Sequence, residues 1–219
     1  LSKNPWLRLK FFKHHWPQVL SNIQNYNGVT IPHRKHLFKA LKLTRPEDVK
    51  VVILGQEPYT TNGWSDGLAF SVHPHVYPYP KTLDNIFAEY TSDLGFRRPK
   101  TGSLEPWANN GVLLLNSILT VGEGRKLSHA GFGWEKLTYE CLRFLSDRGG
   151  CVFLLWGKRA QSYSKLVATG LKASTNLVLP VAHPSPMSAR QGFFGSRPFS
   201  RANEFLEKIG REKVNWRLP

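Results

Sequence analysis

Four near-continuous apolar runs set the limits on this fold: residues 51–54 (Val-Val-Ile-Leu), 112–115 (Val-Leu-Leu-Leu), 152–156 (Val-Phe-Leu-Leu-Trp) and 177–181 (Leu-Val-Leu-Pro-Val). They lack the polar–apolar alternation of a half-solvated strand, so they read as strands covered on both faces, the pattern of a parallel sheet. Helical periodicity fills the intervals. Leu83, Ile86, Phe87, Tyr90 and Leu94 share one face behind Thr82, a candidate N-cap. Leu137, Cys141, Leu142 and Leu145 mark a second helix. Phe205, Leu206 and Ile209 mark a third, with Ser200 as candidate cap and Gly210 as stop. This alternation predicts an α/β fold: a single-domain three-layer αβα sandwich around a central four-stranded, mainly parallel sheet. A chain of 219 residues, 41% hydrophobic, builds one such core, and its length gives no reason for two. Residues 1–46 are expected to be a basic, partly helical lead-in packed on a main domain of residues 47–219.

Thirty Lys and Arg face fifteen Asp and Glu, a net charge of +15. The excess is uneven, since residues 1–46 hold nine basic residues and no acidic one. A field of this sign draws polyanions, though it also serves solubility and does not separate DNA from RNA. Trp6, Phe11, Phe12 and Trp16 lie among these cations. They offer stacking faces for bases, but read better as the apolar side of a helix packed on the domain. No apolar run approaches the length of a membrane span and no signal-peptide pattern opens the chain, so no membrane partner is expected. The start at Leu1 rather than Met is compatible with a removed segment, and nothing in the sequence fixes a compartment. Cys141 and Cys151 sit in apolar runs and read as buried, inert thiols. His33 with His36, and His73 with His75, lack a Cys or carboxylate at ligand spacing, so no metal site is expected.

Parallel sheets of this kind bind ligands beyond the carboxyl ends of their strands. There the sequence concentrates its chemistry. Gly55-Gln56-Glu57-Pro58-Tyr59 follows the first run, Asn116 the second, Gly157 the third, and His183-Pro184-Ser185-Pro186-Met187-Ser188 the fourth. Two amides, a carboxylate, a phenol and an imidazole around one crevice suit recognition of a small, polar, planar ring. Asn116 both donates and accepts in one plane, and Phe70 offers a stacking face. Taken singly, each has a structural reading: a strand-end Asn caps a turn, a His before Pro is a loop residue, and a Phe belongs to the core.

Taken together, these segments resemble the uracil-DNA glycosylases of family 1, from about Leu37 to Trp216. The matching strings are Val51-Val52-Ile53-Leu54-Gly55-Gln56 with Pro58-Tyr59, Gly67-Leu68-Ala69-Phe70-Ser71-Val72, and Trp107-Ala108 leading to Gly111-Val112-Leu113-Leu114-Leu115-Asn116. Ser128-His129 with Gly133-Trp134-Glu135, Leu154-Leu155-Trp156-Gly157, His183-Pro184-Ser185-Pro186 and Gly192-Phe193-Phe194-Gly195 complete the set. The resemblance implies roles. Gln56 would contact the uracil ring through its backbone, Tyr59 would exclude a thymine methyl, Phe70 would stack on the flipped base, and Asn116 would read its edge. Glu57 would stabilise the sugar cation and orient water, and His183 would stabilise charge on the uracil O2. Met187, at an intercalating leucine position, would fill the gap left by the base. Pro78, Pro80, Thr82, Gly157, Lys158, Ser185 and Ser188 would grip the DNA strand. The reaction implied is cofactor-free hydrolysis of the N-glycosidic bond in uracil-containing DNA, by a monomer.

The chain also departs from the family pattern. Glu57 stands where the family has Asp, and Thr60 where it has His. Only two prolines occupy the proline-rich clamp Tyr77-Pro78-Tyr79-Pro80-Lys81-Thr82, and Lys158 replaces a Ser. These changes and the net charge motivate an alternative: a catalytically silent member serving as a nucleic-acid-binding or structural subunit of a ribonucleoprotein or replication assembly. Retention of Tyr59, Phe70, Asn116 and His183 argues against it, because a scaffold has no use for a base-reading pocket.

Overall fold

Each of the four apolar runs forms a strand of one sheet, and every pairing within it is parallel. The structure, a computed structural model, describes residues 4–219; residues 1–3 of the lead-in lie outside the described residues. In chain order the elements are α1 (Lys10–His14), α2 (Trp16–Gln24), β1 (Thr30–Ile31), α3 (Lys39–Leu43), β2 (Val51–Gly55), α4 (Lys81–Leu94), α5 (Glu105–Ala108), β3 (Val112–Asn116), β4 (Val121–Gly122), α6 (Trp134–Arg148), β5 (Val152–Trp156), α7 (Lys158–Gln161), α8 (Ser164–Ala168), β6 (Leu177–Val181) and α9 (Pro198–Lys208). The main sheet has the order β3-β2-β5-β6, and β1 and β4 form a small antiparallel pair. Two helical groups flank the sheet: α4 packs with α9, and α6 with α1 and α8. The α/β sandwich read from the sequence is the fold observed.

Burial explains the unbroken apolar runs. All residues of β2, β3 and β5 are buried, whereas β6, at the sheet edge, is only partly so. Pro180 is accommodated there because an edge strand has ladder positions that need no N–H. The register pairs Gly55 with Asn116 and Trp156 with Val181, which brings the four strand ends to one rim.

The lead-in shares the main core. Trp6 and Phe11 are buried, Phe11 stacks on Trp134 at 5.9 Å, and Trp16 packs on both Phe38 and Trp134. Trp6 and Phe11 are therefore withdrawn from any base, and half-buried Trp16 is engaged in the same cluster. Cys141 and Cys151 are buried free thiols, and burial raises the pKa of both.

Two cap assignments need correction. Thr82 lies inside α4, which starts at Lys81 with Pro80 in the cap position. Ser200 lies inside α9; the Asp93 carboxylate of α4 accepts the Phe199 and Ser200 N–H groups at 3.0 and 2.9 Å. A cap supplied by another helix leaves no local sequence signal. No helix among the described residues is long and apolar enough to cross a membrane.

Candidate active site

A cleft of about 530 Å³ opens at the carboxyl rim of the sheet, and Gln56, Glu57, Tyr59, Phe70, Thr82, Asn116, His183, Ser185 and Met187 all line it. Gly157, Lys158, His183 and Ser188 line an adjoining cleft. Segments far apart in sequence converge because each follows, or is braced against, a strand end. Pro78 and Pro80 line neither cleft; Pro78 is exposed and Pro80 is buried.

Asn116 ends β3 with its side chain almost wholly buried, and its Oδ1 has no hydrogen-bond partner. An unsatisfied buried acceptor costs about 1–3 kcal/mol; among the described residues His129 Nε2, Trp156 Nε1 and Trp216 Nε1 are also buried without a partner. Gly55 makes room for this amide, since a Cβ at residue 55 would collide with Asn116 Oδ1. The Gln56 carbonyl already accepts from the Ile118 N–H and the Ser117 hydroxyl, both at 2.9 Å. Its acceptor capacity is used, so a ring contact through the Gln56 main chain falls to the N–H.

Phe70 has φ 64°, a left-handed conformation costly for a bulky residue. A network holds it there. Buried Asp66 accepts from the Leu68 N–H at 3.1 Å and the Ser71 hydroxyl at 2.9 Å, and pairs with Lys39 at 3.1 Å. The Phe70 carbonyl accepts from the Tyr59 hydroxyl at 3.2 Å, which fixes the Tyr59 ring beside the cleft. Burial pushes the Tyr59 phenol well above its ordinary pKa, so it stays neutral.

His183 follows β6 and lies 5.9 Å from Phe70, ring centre to ring centre. The Ser185 N–H donates to its Nδ1 at 3.0 Å. In a neutral imidazole the proton is then on Nε2, which becomes a donor. Burial lowers the His183 pKa and so favours this neutral form. The surrounding loop is braced by Ser188 Oγ donating to the His183 carbonyl at 2.8 Å and Asn85 Nδ2 donating to the Pro184 carbonyl at 2.8 Å. Gly157 packs against it so closely that a Cβ there would come within 2.7 Å of the His183 Cβ. On the crest of this braced loop Met187 is 89% exposed.

Glu57 is half-buried, and burial, the largest influence, raises its pKa. Opposing that rise, the Leu127 N–H donates to Oε2 at 2.7 Å, Gln56 Nε2 donates to Oε1 at 3.4 Å, and Arg159 and Lys126 supply positive charge. Sequence reading missed Leu127, Lys126 and Arg159. Lys126 lines the main cleft, while Leu127 is 70 residues from Glu57 and acts through its backbone, so its residue type carries no signal. Among the described residues no group of three or more His, Cys, Asp or Glu is arranged to hold a metal ion.

The molecule is thus a parallel α/β sandwich whose strand ends surround a cleft lined by an amide, an imidazole and an aromatic face. The profile of the Uracil DNA glycosylase superfamily matches residues 41–207. A uracil-DNA glycosylase of Bacillus licheniformis is 46% identical over 100% of this chain and 97% of its own length. That of Lacticaseibacillus casei is 48% identical over 90% of this chain and 84% of its own. The crystal structure of mimivirus uracil-DNA glycosylase superposes with a TM-score of 0.86 at 27% identity, covering 97% of this chain and 86% of that one. The chain belongs to the uracil-DNA glycosylase superfamily.

Proposed function

We propose that this protein removes uracil from DNA, hydrolysing the N-glycosidic bond of a flipped-out nucleotide to leave an uncut abasic site, the opening step of base-excision repair. The observation that carries the reading is the convergence of Asn116, Tyr59, Phe70, Glu57 and His183 on one cleft at the carboxyl rim of the sheet. Uracil presents an N3–H donor beside the O4 acceptor. Asn116 answers with Oδ1 for N3–H and Nδ2 for O4. Cytosine presents the reverse pattern, an unprotonated N3 beside an amino group, and leaves both partners unmatched. The Gln56 N–H adds a donor to the ring, and Phe70 stacks on it. Tyr59, tied to the Phe70 carbonyl, occupies the space a 5-methyl group would need.

Bond cleavage moves an electron pair from the C1′–N1 bond onto the base and leaves positive charge on the sugar. His183 donates Nε2–H to O2 as negative charge grows there, and the Glu57 carboxylate stabilises the sugar cation and orients the water that adds to C1′. Both interactions strengthen toward the transition state, which is what accelerates the step. Base flipping costs a few kcal/mol of stacking and pairing. Met187, an exposed apolar side chain on a braced loop, inserts into the vacated stack to offset that cost. Thr82, Ser185 and Lys158 hold the flanking phosphates, while the Gly157 N–H and the Ser188 hydroxyl, which already donate to the Val181 and His183 carbonyls at 2.9 and 2.8 Å, brace the loop beside them. Pro78, exposed on the segment that leads into α4, contacts the DNA strand from outside the cleft, and buried Pro80 shapes that segment.

Asn116→Asp tests the reading. The carboxylate no longer donates to O4 and repels charge developing on the base. Uracil release should fall by roughly 100- to 1000-fold, the loss typical of a removed transition-state donor, while duplex affinity changes little. Equal loss of release and binding would contradict the assigned role.

A further inference from the structure

Both departures from the family pattern beside the reacting sugar lie against the same loop. Residues 122–128 donate to the segment after β2 at two points: the Leu127 N–H to Glu57 Oε2 at 2.7 Å, and the Gly124 N–H to the Thr60 carbonyl at 2.9 Å. The loop is itself closed by three bonds. The Gly122 N–H donates to Ser128 Oγ at 2.7 Å, the Arg125 N–H to the Gly122 carbonyl at 3.0 Å, and the Ser128 N–H to the Arg125 carbonyl at 3.2 Å. Leu127 has φ 60° and its side chain is 40% exposed. A left-handed leucine whose side chain faces solvent gains little from burial, and its backbone N–H is what the conformation delivers.

We infer that the main-chain N–H of Leu127 is a positioning group for the Glu57 carboxylate, and that residues 122–128 are a working part of the active site. The inference rests on the uracil-excising reading of that site. Glu57 is one methylene longer than Asp, about 1.5 Å of extra reach. The 2.7 Å bond spends that reach by fixing Oε2 against the loop. Oε1, whose partner is the Gln56 amide at 3.4 Å, is left for the sugar cation or the attacking water. An Asp at residue 57 would fall short of Leu127 and leave the loop's N–H unpaired. Glu57 and the loop are thus fitted to one another, and the glutamate works because its second oxygen is held. Hydrogen bonding to the ionised form also opposes the rise in pKa that burial imposes on Glu57.

The test deletes that N–H alone. Leucic acid, the α-hydroxy analogue of leucine, is placed at residue 127, turning the amide into an ester with the side chain unchanged. In the free protein, the Glu57 carboxyl, read by 13C NMR, should titrate at higher pH than in the all-amide protein. The acid limb of single-turnover uracil release should move up with it. The plateau rate should fall roughly tenfold, the scale of one charge-assisted hydrogen bond, with DNA affinity unchanged. In a Glu57→Gln background the ester should make no further difference. Glu57→Asp should lower the plateau rate rather than raise it. An unmoved titration and acid limb, the same loss in the Glu57→Gln background, or a faster Glu57→Asp enzyme would each overturn the inference. If the unaltered protein releases no uracil, the function proposed above fails, while the NMR titration still decides whether Leu127 holds Glu57.

Discussion

At the scale of the residue, the site separates two titrating groups by environment. Burial lowers the His183 pKa and raises that of Glu57. The chemistry needs a neutral His183 and an ionised Glu57, and both states are lost as pH falls, so release should decline on the acid side as His183 gains its proton and Glu57 gains its own. The midpoint of the acid limb in single-turnover release is therefore expected above 4.5, the ordinary value for Glu, and Glu57→Gln should remove the Glu57 share of that limb and leave the His183 share. A midpoint at or below 4.5 would contradict the raised Glu57 pKa. The Tyr59 phenol, raised by burial above its ordinary value of 10.0, should contribute no alkaline limb below that pH. Asn116, His183 and Glu57 were legible in the sequence because strand ends are short, recognisable addresses in a parallel sheet. The Leu127 N–H was not, since any residue type supplies a backbone N–H and only tertiary structure says where it points.

At the scale of the element, the unbroken runs of β2, β3 and β5 read correctly because burial on both faces leaves no alternation to mislead. The short helices α5, α7 and α8 carry too few residues for a periodic pattern and were not read. The helix caps were misread for another reason. Glu89 and Asp93, one turn apart on α4, present carboxylates to the segment that enters α9. Glu89 accepts from the Gly195 and Arg197 N–H groups at 2.7 and 2.9 Å, and Asp93 caps Phe199 and Ser200. Asp93→Ala should cost about 1–2 kcal/mol, the range of a lost N-cap, visible as a lower urea midpoint at unchanged m. Wild-type stability in this variant would show that the tertiary cap is dispensable.

At the scale of the whole molecule, the lead-in and the positive charge are separate matters. Trp6 and Phe11 belong to the shared core, so removing the first helices would damage folding before it altered DNA contacts. Phe11→Ala should destabilise the protein by about 3–5 kcal/mol, and a change under about 1 kcal/mol would contradict the packed arrangement. The DNA grip should appear instead in Lys158 at the cleft. Lys158→Ala should reduce the slope of log affinity against log salt by about 0.9, the value of one released phosphate counterion. An unchanged slope would remove Lys158 from the phosphate track. If the crevice at the sheet rim breaks the glycosidic bond of uracil in DNA, single-turnover release of uracil from a labelled duplex carrying one U, beside His183→Ala, will show it. The unaltered protein should release uracil, with release slowed by roughly 100-fold or more when the O2 donor is removed. No release by a folded, DNA-binding protein, or release that His183→Ala leaves untouched, would contradict it.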